Sequence, residues 1–279
     1  MALIIPSANA GLKTYEILRG TSGYRSREAL LKELYRKYGN HASQHDIYEE
    51  LQGIDRDVST NLREEDMVSL KDQAETMPGK WKSCFTDTGR DHWWKFSVEC
   101  ADPAVSWLSD LALIKVYISV DDIAQIPDMF CKIVSLLLEQ SDNRFHAKVS
   151  RCKRKDSMCF WVSRLSYGLL EDCYKSRTDV ISGALPFVSY RGNLGISREL
   201  ATFDSHNSVQ AMLISRYFST VEEAADIDLG DMYSLLVKAW NKDLPDKHPM
   251  MESFKYERAQ TILLLLDTMD ICLCVIKKQ

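Results

Sequence analysis

Along residues 24 to 76, apolar side chains return every three to four positions in YRSREALLKELYRKYG, SQHDIYEELQ and NLREEDMVSLKDQAETM. That spacing gathers them on one face of a helix and leaves mixed charges outside, with Ser43 and Asn61 standing where N-caps belong. From about 90 to 220 the period changes. WWKFSVEC, LIKVYISV, RFHAKVS and SMCFWVS are short, alternating and rich in Val, Ile, Phe and Trp, which predicts strands with one buried face. Between the second and third of them, IAQIPDMFCKIVSLLLEQS repeats as a helix does, so strand, helix and strand follow one another. Beyond about 221 the pattern is helical again, interrupted by the loop NKDLPDKHPM. An α+β fold is expected: a central, mainly antiparallel sheet with surrounding helices. Residues 1–88 are expected to form a helical N-terminal region, and 89–279 an α+β domain that includes the C-terminal helices.

Side chains two apart on a strand share a face. In RFHAKVS this points Phe145, Ala147 and Val149 to the core and His146, Lys148 and Ser150 away from it. In IKVYISV, Val116, Ile118 and Val120 point inward, and Lys115, Tyr117 and Ser119 outward. If the two strands are neighbours, their polar stripes join into one surface, followed at once by Arg151, Lys153, Arg154 and Lys155. Such a surface suits an anion like phosphate. A solvated sheet face ending in a polar turn accounts for the same pattern without any ligand.

Composition narrows the classes. The chain has 279 residues, 45% of them hydrophobic, which is enough to bury a core. Its net charge of −5 with both signs interspersed excludes a generally basic nucleic-acid binder and a disordered tail. No pair among the eight cysteines has the C-x-x-C spacing of a zinc ribbon or redox pair, so reduced thiols are expected. Neither a metal nor a cofactor is expected. MALIIPSANAGLK lacks the charged start and long apolar stretch of a signal peptide. In TILLLLDTMDICLCVI, Asp267 and Asp270 break a run already shorter than the roughly 20 apolar residues of a membrane span. A buried terminal helix, no membrane association and a cytoplasmic location are the expectations. His92, Trp93 and Trp94 read as a core or interface cluster, Asp121 and Asp122 as a helix cap, and Gly192 and Gly195 as turn formers.

K-x-Y-x-S at 115 to 119, then a long helix, then F-H-x-K-V at 145 to 149 resembles the fold of the phosphothreonine lyase effectors of bacterial pathogens (SpvC and OspF type). Their first strand carries K-x-H-x-S and their second K-x-K-V; lyase domains of class III and IV lanthipeptide synthetases share the first element. A closer match is the HopA-type effector family and the stand-alone lyase subunit of class V lanthipeptide synthetases (LanY type), with a weaker helical similarity near the N-terminus around ELYRKYG. The likeness lies in the tyrosine-bearing strand, in the R-x-D step at Arg154 and Asp156, and in PFVSYRGNLGISREL, with Pro186, Gly192, Gly195 and Glu199. It covers roughly 105 to 220.

This resemblance implies a phosphothreonine-lyase-like fold and β-elimination of phosphate from phosphoserine or phosphothreonine, leaving dehydroalanine or dehydrobutyrine. By resemblance Lys148 is the base for the α-proton, which requires its pKa to fall from about 10.4 toward neutrality under burial or nearby positive charge. Lys115 holds the phosphate or the substrate carbonyl. Tyr117 occupies the place of the general-acid histidine, and His146 is the other candidate acid. Arg154 resembles the phosphate-clamping arginine, although it stands closer to Lys148 in sequence than in the pathogen lyases; Arg191, Arg198 and Ser119 are further candidate phosphate or substrate ligands, with an exposed loop arginine the equal alternative for Arg191 and Arg198.

No Gly-rich kinase loop or H-R-D motif is present, so a separate kinase must supply the phosphorylated precursor peptide, and a cyclase is the expected third component of a lanthipeptide-type pathway. The alternative is a HopA-type effector, exported through a type III system, or a non-catalytic relative that binds partner proteins.

Overall fold

The computed structural model describes residues 22–54, 62–63, 65–66, 68, 70, 72, 76, 80–85, 92–98, 114–139, 145–181, 184–198 and 205–256. Seven α-helices lie in these residues: α1 (Ser22–Tyr38), α2 (Gln44–Gln52), α3 (Ile126–Leu138), α4 (Arg164–Tyr174), α5 (His206–Phe218), α6 (Leu229–Trp240) and α7 (Pro249–Tyr256). Seven strands accompany them: β1 (Lys80–Phe85), β2 (His92–Val98), β3 (Ile114–Ile118), β4 (Phe145–Ser150), β5 (Met158–Val162), β6 (Ser189–Arg191) and β7 (Leu194–Arg198). The fold is α+β, as the periodicity predicts. The sheet runs β1-β2-β4-β5-β3-β7-β6, and every one of its pairings is antiparallel.

The chain divides into two compact units, one of residues 52–201 and the other of 1–51 with 202–279. This line falls elsewhere than the 88/89 boundary read along the chain, since a contiguous reading does not pair first and last segments. In the helical unit, α7 lies against α5 and α6, and α1 against α6. The Tyr35 ring meets Phe218 edge-on at 5.2 Å, and its hydroxyl donates to the Val221 carbonyl at 2.8 Å. Ser43 caps α2 as expected: its Oγ accepts from the Asp46 N–H at 3.1 Å, while Asp46 accepts from the Ser43 N–H at 3.2 Å. Asn61 and the terminal run 261–276 lie outside the described residues. Among the described residues, no helix is long and apolar enough to cross a membrane.

In the sheet unit, α3 covers one face. Its Ile126, Phe130, Ile133, Val134 and Leu137 are buried together with Val116, Ile118, Phe145, Ala147, Val149, Phe160 and Val162, the residues that alternation points inward. Full burial of each such side chain contributes roughly 1.5–3 kcal/mol, so this layer fixes the register. Asp122 opens the approach to α3, its carboxylate accepting from the Ala124 N–H at 3.0 Å.

The opposite face departs from expectation. Tyr117 and Cys159 form a second apolar cluster with Leu185 and Val188, flanked by Trp161 and Tyr190. Lys115, Tyr117 and Ser119 are therefore buried, not solvated. The cover over Tyr117 comes from Leu185 and Val188 in the segment before β6, whose apolar residues follow no strand or helix period. Nor are β3 and β4 neighbours: β5 pairs with both and stands between them.

Candidate functional site

Cross-strand register sets two rows of residues on this second face. One runs Lys148, Cys159, Tyr117, Gly195 and Tyr190; the next runs His146, Trp161, Lys115 and Ser197. The chemistry-bearing residues of β3 and β4 thus share a face after all, but with Cys159 and Trp161 of β5 inserted between them.

The basic run after β4 is divided by a hairpin loop. Closure comes from the Ser150 N–H donating to the Ser157 carbonyl at 2.8 Å, and from the Cys152 N–H donating to Ser150 Oγ at 3.1 Å. Lys153 and Lys155 are exposed on the turn, while Arg154 is buried. Its Nε donates to the Asp156 carboxylate and its Nη2 to Gln52 Oε1 at 3.2 Å. The guanidinium carbon lies 4.5 Å from the centre of the Trp93 ring. Gln52 also holds the loop through its carbonyl, which accepts from the Lys155 N–H at 2.9 Å.

Cations and aromatic rings then alternate across the sheet. Lys148 Nζ lies 3.9 Å from the centre of Trp93 and 5.7 Å from that of Trp161. Lys115 Nζ lies 4.7 Å from Trp161 and 4.8 Å from Tyr117. Each contact attracts a cation to the negative face of a ring, and this lets positive groups pack in a low-dielectric setting. The Lys148 ammonium is held below the ordinary lysine range, chiefly by burial. Lys115 and Arg154 push it down further by repulsion, while Cys159 and Asp156 oppose the shift.

The Tyr117 hydroxyl shares a 3.1 Å hydrogen bond with Ser197 Oγ. Gly195 makes room beneath it: a Cβ there would meet Val188 Cγ1 at 3.0 Å and the Tyr117 Cβ at 3.2 Å. Gly195 therefore serves close approach within a strand, not a turn. Gly192 is the turn residue, with φ +58° and space for no side chain, since a Cβ would lie 2.1 Å from the Lys175 carbonyl oxygen.

The remaining expected ligands separate from this cluster. Ser119 donates its hydroxyl to the Lys155 carbonyl, which makes it a brace for the loop. Arg191 is exposed on the β6–β7 hairpin. Arg198 pairs in register with Ile114, one step out of phase with Ser197 and Lys115. His146 is half-buried and aligned with Trp161.

Trp93, Trp161, Cys159, Ser197 and Gln52 line the candidate site and were not among the expected site residues, although Trp93 is buried as its core or interface reading has it. For Trp161 and Cys159 the signal was available: the alternation that sends Met158, Phe160 and Val162 inward sends these two to the Lys115 face. Gln52 joins Arg154 from far along the chain and has no local signature. Among the described residues, no group of three or more His, Cys, Asp or Glu could hold a metal ion.

Fold and site together define an α+β chain with a cationic, aromatic-lined cluster on the second face of an antiparallel sheet. No protein-family model matches the chain, and a search of the curated proteins found no match.

Proposed function

We propose that the chain is a phosphoserine or phosphothreonine lyase that eliminates phosphate from a precursor peptide in the cytoplasm, after a separate kinase has phosphorylated it. The observation that carries this reading is the setting of Lys148, a lysine with a lowered pKa packed on Trp93 and close to Lys115 and Arg154. A lysine base needs that environment to be neutral near physiological pH. The resemblance of K-x-Y-x-S and F-H-x-K-V to the lyase strands points the same way.

In the proposed step, neutral Lys148 takes the α-proton of the phosphorylated residue. The C–H electron pair becomes the Cα–Cβ double bond, and the Cβ–O bond breaks with its pair leaving on phosphate. Lys115 stabilises the negative charge that develops on the substrate carbonyl. Tyr117, oriented by Ser197, gives its proton to the departing phosphate oxygen. Arg154 supplies positive charge from a fixed position, because Asp156 and Gln52 already hold its Nε and Nη2.

The test is mass spectrometry of synthetic phosphoserine and phosphothreonine peptides incubated with the protein, beside Lys148→Ala. Loss of phosphoric acid, with a thiol trapping the new alkene, is expected for the wild type and not for the variant. Conversion to the plain alcohol would mean hydrolysis and would end the elimination reading. If every peptide stays intact, including a kinase-treated precursor, the cationic face is a partner-binding surface of the effector type.

A further inference from the structure

The residues proposed to hold and protonate the substrate do not reach the surface. Lys115 is 0% exposed, Tyr117 1% and Ser197 3%, whereas Lys148, His146 and Trp161 on the same face are half-buried. A peptide that arrives at the Lys148 end therefore does not touch the Lys115 end in this conformation. Two rings lie against the Lys115 ammonium, that of Tyr117 at 4.8 Å and that of Trp161 at 4.7 Å. Of the two, Tyr117 is buried and Trp161 is the one open to solvent. Register sets Trp161 between Lys115 and His146, on the strand that separates β3 from β4. Its ring packs against the cluster of Tyr117, Cys159, Leu185 and Val188 and lies 5.7 Å from Lys148 Nζ.

We infer that Trp161 is a gate: its indole closes the way from Lys148 to Lys115, and it turns aside when a phosphorylated residue seats. The inference rests on the proposed lyase reading for what enters, while the gate's place follows from register and burial. A side chain makes such a turn by changing rotamer, with the sheet unmoved. Opening requires a ligand that favours the open state over the closed one. With the gate closed, Lys115 has the face of the Trp161 ring. With it open, a negatively charged oxygen gives Lys115 a charge-assisted hydrogen bond, the stronger contact. A phosphorylated residue brings such oxygens, and an unmodified serine does not.

Two measurements on the full chain test the gate. In the first, fluorine NMR follows fluorotryptophan at the six tryptophan positions, and Trp161→Phe identifies the Trp161 resonance. Its shift between light and heavy water reads contact with solvent. The probe is the capped single-residue phosphonate analogue of phosphoserine, which cannot be eliminated and is too small to cover a displaced ring; capped serine is the control. The phosphonate is expected to raise the solvent shift of Trp161, and serine to leave it unchanged. In the second, N-ethylmaleimide alkylates buried Cys159 beside exposed Cys173 as the internal standard, without ligand. Trp161→Ala should speed alkylation of Cys159 several-fold, whereas Leu185→Ala, which trims the same cluster, should not. Circular dichroism melting confirms that each variant is folded. Equal acceleration in both variants means general loosening and overturns the inference, as does no acceleration in Trp161→Ala, or a phosphonate that binds while Trp161 stays shielded. The two readings fail separately. A chain in which Trp161→Ala alone unmasks Cys159, but which neither responds to the phosphonate nor eliminates phosphate from phosphopeptides, keeps a gate over Lys115 and loses the lyase assignment. One that eliminates phosphate with Trp161 shielded throughout keeps the assignment and loses the gate.

Discussion

Lys148 and Arg154 share one aromatic partner: the ammonium lies 3.9 Å, and the guanidinium carbon 4.5 Å, from the centre of the Trp93 ring. Replacing Lys148 with Met therefore has two separable effects. Elimination should fall by about 10²–10⁴-fold, the usual share of a general base. Stability should rise at neutral pH, because burial disfavours the charged lysine in the folded chain more than in the unfolded one. The penalty is complete below the folded pKa and fades as pH climbs toward the unfolded value of about 10.4. Denaturation midpoints of wild type and Lys148→Met should accordingly converge as pH rises, whereas an equal gap at all pH values would mean that Lys148 is not desolvated. The elimination rate of the wild type should increase with pH through the same lysine's titration.

The buried pair of Arg154 and Asp156 gives a second prediction. Asp156→Asn strands a buried guanidinium and should cost about 3–5 kcal/mol in urea denaturation, whereas replacing both residues with Met and Leu should cost far less. A double-mutant cycle in which the two changes simply add would show that the pair is not coupled.

Tyr117→Phe keeps the ring beneath Lys115 and removes only the proton donor. It should lower the rate of elimination by about 10²–10⁴-fold and leave the KM for phosphopeptide nearly unchanged. His146→Ala should have the smaller effect on kcat. The reverse ranking would transfer the acid role to His146.

Gly192→Ala forces a side chain into a left-handed backbone and against the Lys175 carbonyl; Gly195→Ala crowds Val188 and Tyr117. The first change should be the more destabilising, with backbone strain alone about 1–3 kcal/mol. Overpacking in the second should also cost about 1–3 kcal/mol, with some of the loss appearing as slower elimination because Tyr117 shifts away from Ser197. Urea melts and rates measured on the same preparations separate these outcomes.

Much of the sheet was readable from alternation, since β2, β3, β4 and β5 each carry apolar residues on one side that pack beneath α3. KWKSCF of β1 was not, because lysines and small polar residues dilute its apolar signal, and β6 spans only three residues. Within the site, Lys115, Tyr117 and Lys148 were found by face and motif together. The burial of Tyr117 was not, because Leu185 and Val188, which pack with it, lie in a segment without period. The order β4-β5-β3 is a fact of tertiary pairing, and only it reveals that Trp161 separates the two lysines.

The hairpin of β4 and β5 also bears on how the site is assembled. Lys148, Arg154, Asp156, Cys159 and Trp161 all belong to this one local element, joined by a short loop whose closure costs little chain entropy. Lys115 and Tyr117 join it only when β3 returns across α3, a contact of much longer sequence separation and slower to form. The Lys148 end of the site is thus placed to form early in folding, and the Lys115 and Tyr117 end to arrive with the closing of the sheet.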